Sequence, residues 1–483
     1  MANTKKILII GGGPAGVQAA LAASGHGHHV TLVSDSPPGG RAAWQTLLPS
    51  KMWLDARLLP PETRPVQRLK AAGALFPVEA AAQAAAPVPV GDLAPRDPSS
   101  LLDIDLLGLR DRYEQVASAW QRQLLNDLEQ AGVEFRLGTA SFVSPHLVQI
   151  QPRDGGAAEQ FSADAVIVAT GSVPYLPPGL FVDGERVFSP DLVWKMAALP
   201  HDMIVIGAGG PATEYVDAFS RLGVKVTWVT GPVGVLPAFP PEAGRFISRV
   251  MQHRGVRIIT GILPRQLEPT AQGVRLITGD GASYEAETAF VAIGMRPDFD
   301  RLNLPAAGLK PGSSGGLAAD AYGLTSVPHI YLAGDAAGPL AGNISLAQGR
   351  IAGLHAAGQR VEPFQPEHAV IAIYTEPQVA QVGRMSELTR HLYRVRVPFT
   401  ACLRAHLLAK QSGIEGEAGF IEVAYDSERR ITGALAVCPE AAEILAPLAV
   451  ALRAQMTLDM LATVYPAHPT FGELAVTAAR LAR

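Results

Sequence analysis

Ile7-Leu8-Ile9-Ile10-Gly11-Gly12-Gly13-Pro14-Ala15-Gly16 carries four apolar residues straight into a glycine-rich turn. The apolar run reads as a short buried strand, the turn as Gly-X-Gly-X-X-Gly, and residues 17–23 as the start of a helix that leads to a second strand at 31–33. Such a turn lets the backbone approach a pyrophosphate closely and aims a helix N-terminus at its negative charge. One copy is weak support, because a tight strand-to-helix turn without a ligand can look the same. The chain holds a second copy: Met203-Ile204-Val205-Ile206 enters Gly207-Ala208-Gly209-Gly210-Pro211-Ala212, followed by a helix to Leu222 and a strand over 224–229. Two β-α-β units imply two nucleotide sites on two parallel sheets.

At 483 residues the chain exceeds one ordinary core and asks for about three domains. With 48% apolar and 17% charged residues it is globular, and 48 Gly with 39 Pro imply many tight connections. A net charge of −4 leaves no basic footprint for nucleic acid, so small molecules are the expected partners. Cys402 and Cys438 have neither C-x-x-C nor metal-ligand spacing, which argues against a disulfide scaffold and against a metal site. His26, His28 and His29 sit together in the helix-to-strand loop of the first unit and read as a solvated loop. The opening apolar run is too short for a signal peptide, and no stretch approaches the ~18 apolar residues of a membrane span. A soluble cytoplasmic enzyme is expected.

Between the two units, residues 78–100 are rich in Ala, Pro and Ser and read as an exposed insertion, while 109–131 reads as a long surface helix. From 363 the texture changes. Residues 419–425 alternate like an antiparallel strand and 440–455 like an amphipathic helix, which marks a third, α+β domain. Both units depart from the dinucleotide fingerprint at the end of their second strand, where an acid usually holds the ribose: Ser34 stands there with Asp35 next, and Thr230 in the second copy.

Four further segments carry a family resemblance. Val166-Ile167-Val168-Ala169-Thr170-Gly171-Ser172, Ile293-Gly294-Met295-Arg296-Pro297, the stretch Thr325-Ser326-Val327-Pro328-His329-Ile330-Tyr331-Leu332-Ala333-Gly334-Asp335 and Ala467-His468-Pro469-Thr470-Phe471-Gly472-Glu473 resemble, in order, motifs of the pyridine nucleotide-disulfide oxidoreductases. The resemblance implies an FAD-binding domain at 1–175, an NAD(P)-binding domain at 176–293, a second part of the FAD domain at 294–362 and a dimerisation domain at 363–483. It implies non-covalent FAD, NAD(P)H as the second nucleotide, and a homodimer. Gly11, Gly13, Pro14, Ala15, Gly16, Ser34 and Asp35 would hold FAD, with Gly40, Arg41, Ala169, Thr170, Gly171, Gly334 and the ribityl-binding Asp335. Gly207, Gly209, Gly210, Pro211, Ala212, Thr230 and Gly294 would hold the coenzyme.

The redox centre departs from the family. Disulfide-reducing members carry C-x-x-x-x-C followed by Ile-Pro-Ser-Lys, whereas here Ala42 and Leu47 occupy the two cysteine positions ahead of Pro49-Ser50-Lys51. Lys51 and its family partner Glu214 survive, and the resemblance places this pair beside the flavin ring. His468 with Glu473 matches the segment that reaches the other subunit's flavin; it reads equally as a proton carrier or as a relic at the dimer interface. Gly210 replaces the tyrosine that shields the flavin in many relatives, which predicts an open nicotinamide face. The expected activity is electron transfer from NAD(P)H through FAD to a small acceptor such as a quinone, as in the disulfide-free branch of the lipoamide dehydrogenase-like proteins. A soluble transhydrogenase and a catalytically silent flavoprotein within a larger complex are the alternatives.

Overall fold

The computed structural model describes residues 4–56, 104–338, 341–386, 391–408 and 419–482, so the insertion expected at 78–100 lies outside the described residues. Strand Lys6–Ile10 is the middle of a parallel sheet, flanked by His29–Ser34 and Ala165–Val168. Ile330–Leu332 and Glu134–Ser144 extend that sheet in parallel on its two sides, and Leu147–Pro152 and Glu159–Ser162 continue it antiparallel. Ile7, Leu8 and Ile9 are fully buried, which is why the opening strand is continuously apolar rather than alternating.

The second turn is built on the same plan. Asp202–Ile206 pairs in parallel with Lys225–Val229 and Thr288–Val291, and Arg257–Ile259 and Val187–Phe188 complete a five-stranded sheet. The chain passes between the two sheets through a short antiparallel pair, Ser172–Pro174 against Met295–Pro297. The return brings helix Gly342–Ala356 onto helix Pro14–Ser24. Small residues let the two backbones meet: a Cβ on Gly349 would lie 2.1 Å from the Ala15 carbonyl oxygen, and one on Gly353 2.4 Å from that of Ala19.

Helix Leu106–Gln130 starts at Asp105, whose carboxylate accepts from the Gly108 N–H at 2.9 Å. Its buried positions, Leu109, Tyr113, Ala117, Leu124 and Leu128, recur at helical spacing on one face.

The third sheet is antiparallel, in the order Ile371–Ile373, Gln378–Gly383, Ile431–Cys438, Phe420–Tyr425, Tyr393–Pro398. The alternating strand expected at 419–425 is buried along its whole length. Ile421, Val423 and Tyr425 pack under helices Ala441–Arg453 and Glu473–Leu481, while Phe420 and Ala424 join a cluster shared with the second sheet. There Phe420 meets Phe246 edge-on at 6.2 Å. Glu422 is buried but paired in this setting: Arg396 Nε donates to it at 2.8 Å and Arg394 Nη1 at 3.3 Å. The sheet is covered on both faces, a tertiary outcome that a period-two pattern does not encode.

Candidate active site

Backbone geometry explains the glycines. Gly11 has φ +113° and a Cβ there would lie 2.2 Å from the Ala169 carbonyl oxygen, while a Cβ on Gly16 would lie 1.8 Å from that of Gly11. Gly207 repeats the first case with φ +134° and 2.1 Å to the Ala292 oxygen. The third position of the second turn is Ala212, which is fully buried. Trp228 adds a pin of its own, its indole N–H donating to the Gly207 carbonyl at 2.6 Å. At Gly13 and Gly209, the helix N-caps, a Cβ would meet nothing within 4 Å. Open space at a helix N-terminus, framed by glycines the backbone needs elsewhere, is what a pyrophosphate requires.

A cleft of about 610 Å³ runs from the first of these turns, and Gly11, Gly13, Pro14 and Ala15 form part of its wall. Ser34 and Asp35 line one end beside Arg153 and Arg301. There Arg153 Nη1 donates to the Asp35 carbonyl at 3.1 Å and Arg301 faces the Asp35 carboxylate at 3.4 Å. A further cavity of about 450 Å³ shares Asp35 and both arginines. Ala169, Thr170, Gly171, Gly334 and Asp335 also line it, Ala169 and Thr170 directly against Gly11 and Gly334 against Ala15. Ser172 donates to Asp335 Oδ2 at 2.6 Å and Ser345 to Oδ1 at 3.5 Å, which orients the carboxylate. Thr170 Oγ1 is buried with no hydrogen-bond partner among the described residues. A buried hydroxyl in a cleft wall suits a bound polar ligand, so open glycine positions, an oriented aspartate and this hydroxyl together fit a flavin dinucleotide.

Gly40, Arg41, Ala42 and Leu47 also face the cleft. Arg41 is held by Asp191 at 2.5 Å. Ala42 and Leu47 therefore border the cleft with hydrocarbon alone. The two cysteines of the chain are free and buried in the third domain, and burial pushes the Cys438 thiol far above its ordinary range.

Lys51, on helix Leu47–Asp55, meets Glu214, on helix Gly210–Arg221, with Nζ 2.8 and 2.9 Å from the two carboxylate oxygens. This is no surface pair: the Glu214 side chain is 7% exposed and that of Lys51 31%. Glu214 and Pro211 line the cleft. Glu214 also accepts the Tyr374 backbone N–H at 3.0 Å, and the Tyr374 ring lies under Lys51 with its centroid 4.4 Å from Nζ. One turn further along the same helix Asp217 is fully buried between Arg254 at 2.5 Å and Arg221 at 2.9 Å. Burial pushes its carboxyl up and the two guanidinium groups oppose that. Arg221 reaches the Glu376 carboxylate at 2.5 Å and Arg254 the Glu376 carbonyl at 2.7 Å, which ties this helix to the segment that carries Tyr374.

The remaining expected positions lie apart from the cleft wall. Gly210 is partly exposed, and a Cβ there would be 2.5 Å from Ile373 Cδ1. Thr230 is buried and its N–H donates to the Ile259 carbonyl at 3.0 Å. Gly294, with φ +136°, precedes the antiparallel crossing. His468 Nδ1 lies 3.1 Å from both Glu473 oxygens, with its side chain 66% exposed. Glu473 accepts the Thr470 N–H at 2.7 Å, and that bond, followed by His468, holds its carboxyl below the ordinary value. Sequence reading missed Tyr374, Asp191, Arg153 and Arg301, which no motif spacing marks.

The family model for pyridine nucleotide-disulphide oxidoreductases matches residues 5–360, and its dimerisation-domain model matches 369–479. The chain is 30% identical to an NAD(P)H dehydrogenase (quinone) of Mycobacterium tuberculosis, over 98% of this chain and 93% of that protein. It is 27% identical to a dihydrolipoyl dehydrogenase of Bacillus subtilis, over 97% and 96%. Among solved structures it resembles LpdA from Mycobacterium tuberculosis with a TM-score of 0.84 and 27% identity, covering 99% of both chains. A flavoprotein disulfide reductase, RclA from Escherichia coli, shares the fold with a TM-score of 0.80 at 18% identity.

Proposed function

Since the chain belongs to the pyridine nucleotide-disulphide oxidoreductases, a family of FAD-binding, NAD(P)H-using enzymes, we propose that it delivers electrons to a small diffusible acceptor, a quinone, without a disulfide relay. One observation carries this reading: Ala42 and Leu47 both border the cleft, on the helices that lead to the Lys51–Glu214 pair. Neither side chain can form a mixed disulfide or take up electrons. When bound, FAD accepts hydride from the nicotinamide and returns the electrons to the acceptor.

Lys51 places its amine against Glu214, which lines the cleft, and beside the flavin it would lower the energy of negative charge developing there. Glu214 pairs with that amine, and the low exposure of the pair makes the field stronger than it would be in water. Asp335 and the glycine turn bind and orient. In a homodimer His468, oriented by Glu473, would hold a proton where the acceptor oxygen needs one. Thr230 brings no carboxylate to the coenzyme ribose and no guanidinium for a 2′-phosphate, so both NADH and NADPH serve.

The test is an acceptor screen with each coenzyme against quinones, lipoamide and a thio-nicotinamide dinucleotide. Quinone reduction with no lipoamide turnover is the expected result. Lipoamide turnover at a comparable rate would overturn the reading, and preferential thio-nicotinamide reduction would favour a transhydrogenase. A hundredfold preference for either coenzyme would refute the argument from Thr230.

A further inference from the structure

Two consecutive residues of the third domain, Ile373 and Tyr374, reach into the second nucleotide-binding unit. Residue 210 has no side chain, and Ile373 Cδ1 stands only 2.5 Å from where its Cβ would be. Tyr374 follows at once, with its N–H 3.0 Å from Glu214 Oε1 and its ring centroid 4.4 Å from Lys51 Nζ. Ser50 Oγ lies 3.1 Å from the same ammonium. Lys51 is thus fixed by a carboxylate, a hydroxyl and the face of an aromatic ring. Tyr374 is 41% exposed, so its ring does not serve as filler of the core. Burial, followed by the Glu214 charge, raises its hydroxyl above the ordinary phenol range, so the ring stays neutral with its electron-rich face intact.

We propose that Tyr374 is a positioning residue for the oxidoreduction: its ring face and backbone N–H hold the Lys51–Glu214 pair in one geometry, a constraint delivered to the cleft by the third domain. The inference rests on the placement of Lys51 beside the flavin given above. Physically, a lysine has a long flexible stem, and with 31% of its side chain exposed the ammonium can swing toward water once one wall is gone. The ring opposes that swing through a cation–π contact and by occupying the volume. The carboxylate, with both oxygens within 2.9 Å of Nζ, holds the ammonium from one side, and the ring closes another.

The experiment uses FAD-loaded holoenzyme with Tyr374→Leu, Tyr374→Phe, Lys51→Met and the Lys51→Met/Tyr374→Leu double variant, each checked for flavin content and thermal melting. Two quantities are read: the rate of flavin bleaching by saturating NADH in stopped flow, and the flavin midpoint potential by dye equilibration. From the strength of an exposed cation–π contact, Tyr374→Leu slows bleaching about three- to fivefold and shifts the potential downward. Tyr374→Phe, which keeps the ring, stays near wild type, and Tyr374→Leu adds nothing in the Lys51→Met background. The proposal is overturned if the leucine variant matches wild type, if phenylalanine is as damaging as leucine, or if the leucine effect persists without Lys51. Should Lys51→Met change neither rate nor potential, the placement of Lys51 falls as well, which separates the two failures.

Discussion

Gly11 and Gly13 are two residues apart in one turn, yet replacing each by alanine should do opposite things. At Gly13 the backbone has φ −72° and ψ −177°, which alanine adopts without strain, and the new methyl meets no atom within 4 Å. The cost to the apoprotein is that of a poorer N-cap, below about 1 kcal/mol. That methyl nevertheless enters the space into which the first-turn N–H groups point. Crowding a close-packed contact by one methyl costs about 1–3 kcal/mol, or about a 5- to 150-fold weaker grip on FAD. At Gly11 the same change puts a Cβ 2.2 Å from a backbone carbonyl at φ +113°, so the fold itself is destabilised. The assay is thermal melting of the apoprotein alongside titration with FAD, followed by quenching of flavin fluorescence. Gly13→Ala should melt like wild type and bind FAD weakly, whereas Gly11→Ala should melt early. If folded Gly13→Ala bound FAD as tightly as wild type, the open space at the helix cap would not be the pyrophosphate site. Gly209→Ala supplies an internal control, since it should weaken NAD(P)H binding and leave FAD in place.

Removing the buried carboxylate in Asp217→Ala leaves Arg221 and Arg254 with Glu376 but without the anion between them, and the loss of one partner from such a cluster costs about 3–5 kcal/mol, measurable by urea unfolding of the holoenzyme. A loss below about 1 kcal/mol would mean that Glu376 and solvent satisfy both arginines. Alkylation with iodoacetamide, with or without prior reduction by NADH, should leave quinone reduction unchanged, because both cysteines are buried and Cys438 is held as the thiol; inactivation would place a thiol in the electron path. Glu473 is held below its ordinary value of 4.5 first by the Thr470 N–H and then by His468. Its contribution is therefore present above that value and lost as pH falls through the depressed one. Glu473→Gln should be less stable than wild type near neutral pH and converge with it in acid once the pH has fallen through the depressed value, and a difference that persisted there would refute the assignment.

The parts of this fold that can be read from sequence are those whose physics is local. Gly11 and Gly207 announce themselves because each carries a positive φ beside a carbonyl that excludes any Cβ, and that need is met within a single strand-to-helix turn. Helix Leu106–Gln130 is legible for the same reason, its Asp105 cap and apolar face lying within its own span. Tyr374 is invisible by comparison: it meets Glu214 across 160 residues, through a backbone N–H that every residue type carries. Asp191 stands 150 residues from Arg41 and Arg301 266 residues from Asp35, and in neither case does a spacing mark the pair. Ile373 is equally hidden from sequence: it comes from the third domain, and its Cδ1 stands 2.5 Å from where a Cβ on Gly210 would be.

Helix Gly210–Arg221 draws these observations into one mechanical argument. Its N-terminus is the second glycine turn, Glu214 faces Lys51, and Asp217 lies three residues on, about 4.5 Å along the axis and on the same side. Glu214 accepts the N–H of Tyr374, and Asp217 accepts that of Glu376 at 3.3 Å. Two carboxylates on one rigid helix thus grip alternate backbone N–H groups of a single segment of the third domain, the bend between strands Ile371–Ile373 and Gln378–Gly383. A buried Asp217 is costly to desolvate, and its carboxyl is pushed up accordingly, yet it touches nothing in the cleft. Its retention makes sense as the second of two anchor points. One hydrogen bond would let the segment pivot about Glu214, whereas two fix its direction and with it the Tyr374 ring. The arginines that neutralise Asp217 also bind Glu376, so the anchor cannot loosen without exposing charge inside the protein. The geometry at Lys51 is therefore set by the contact between the second and third domains, and substitutions at that contact should alter flavin reduction while leaving the FAD-binding turn as it is.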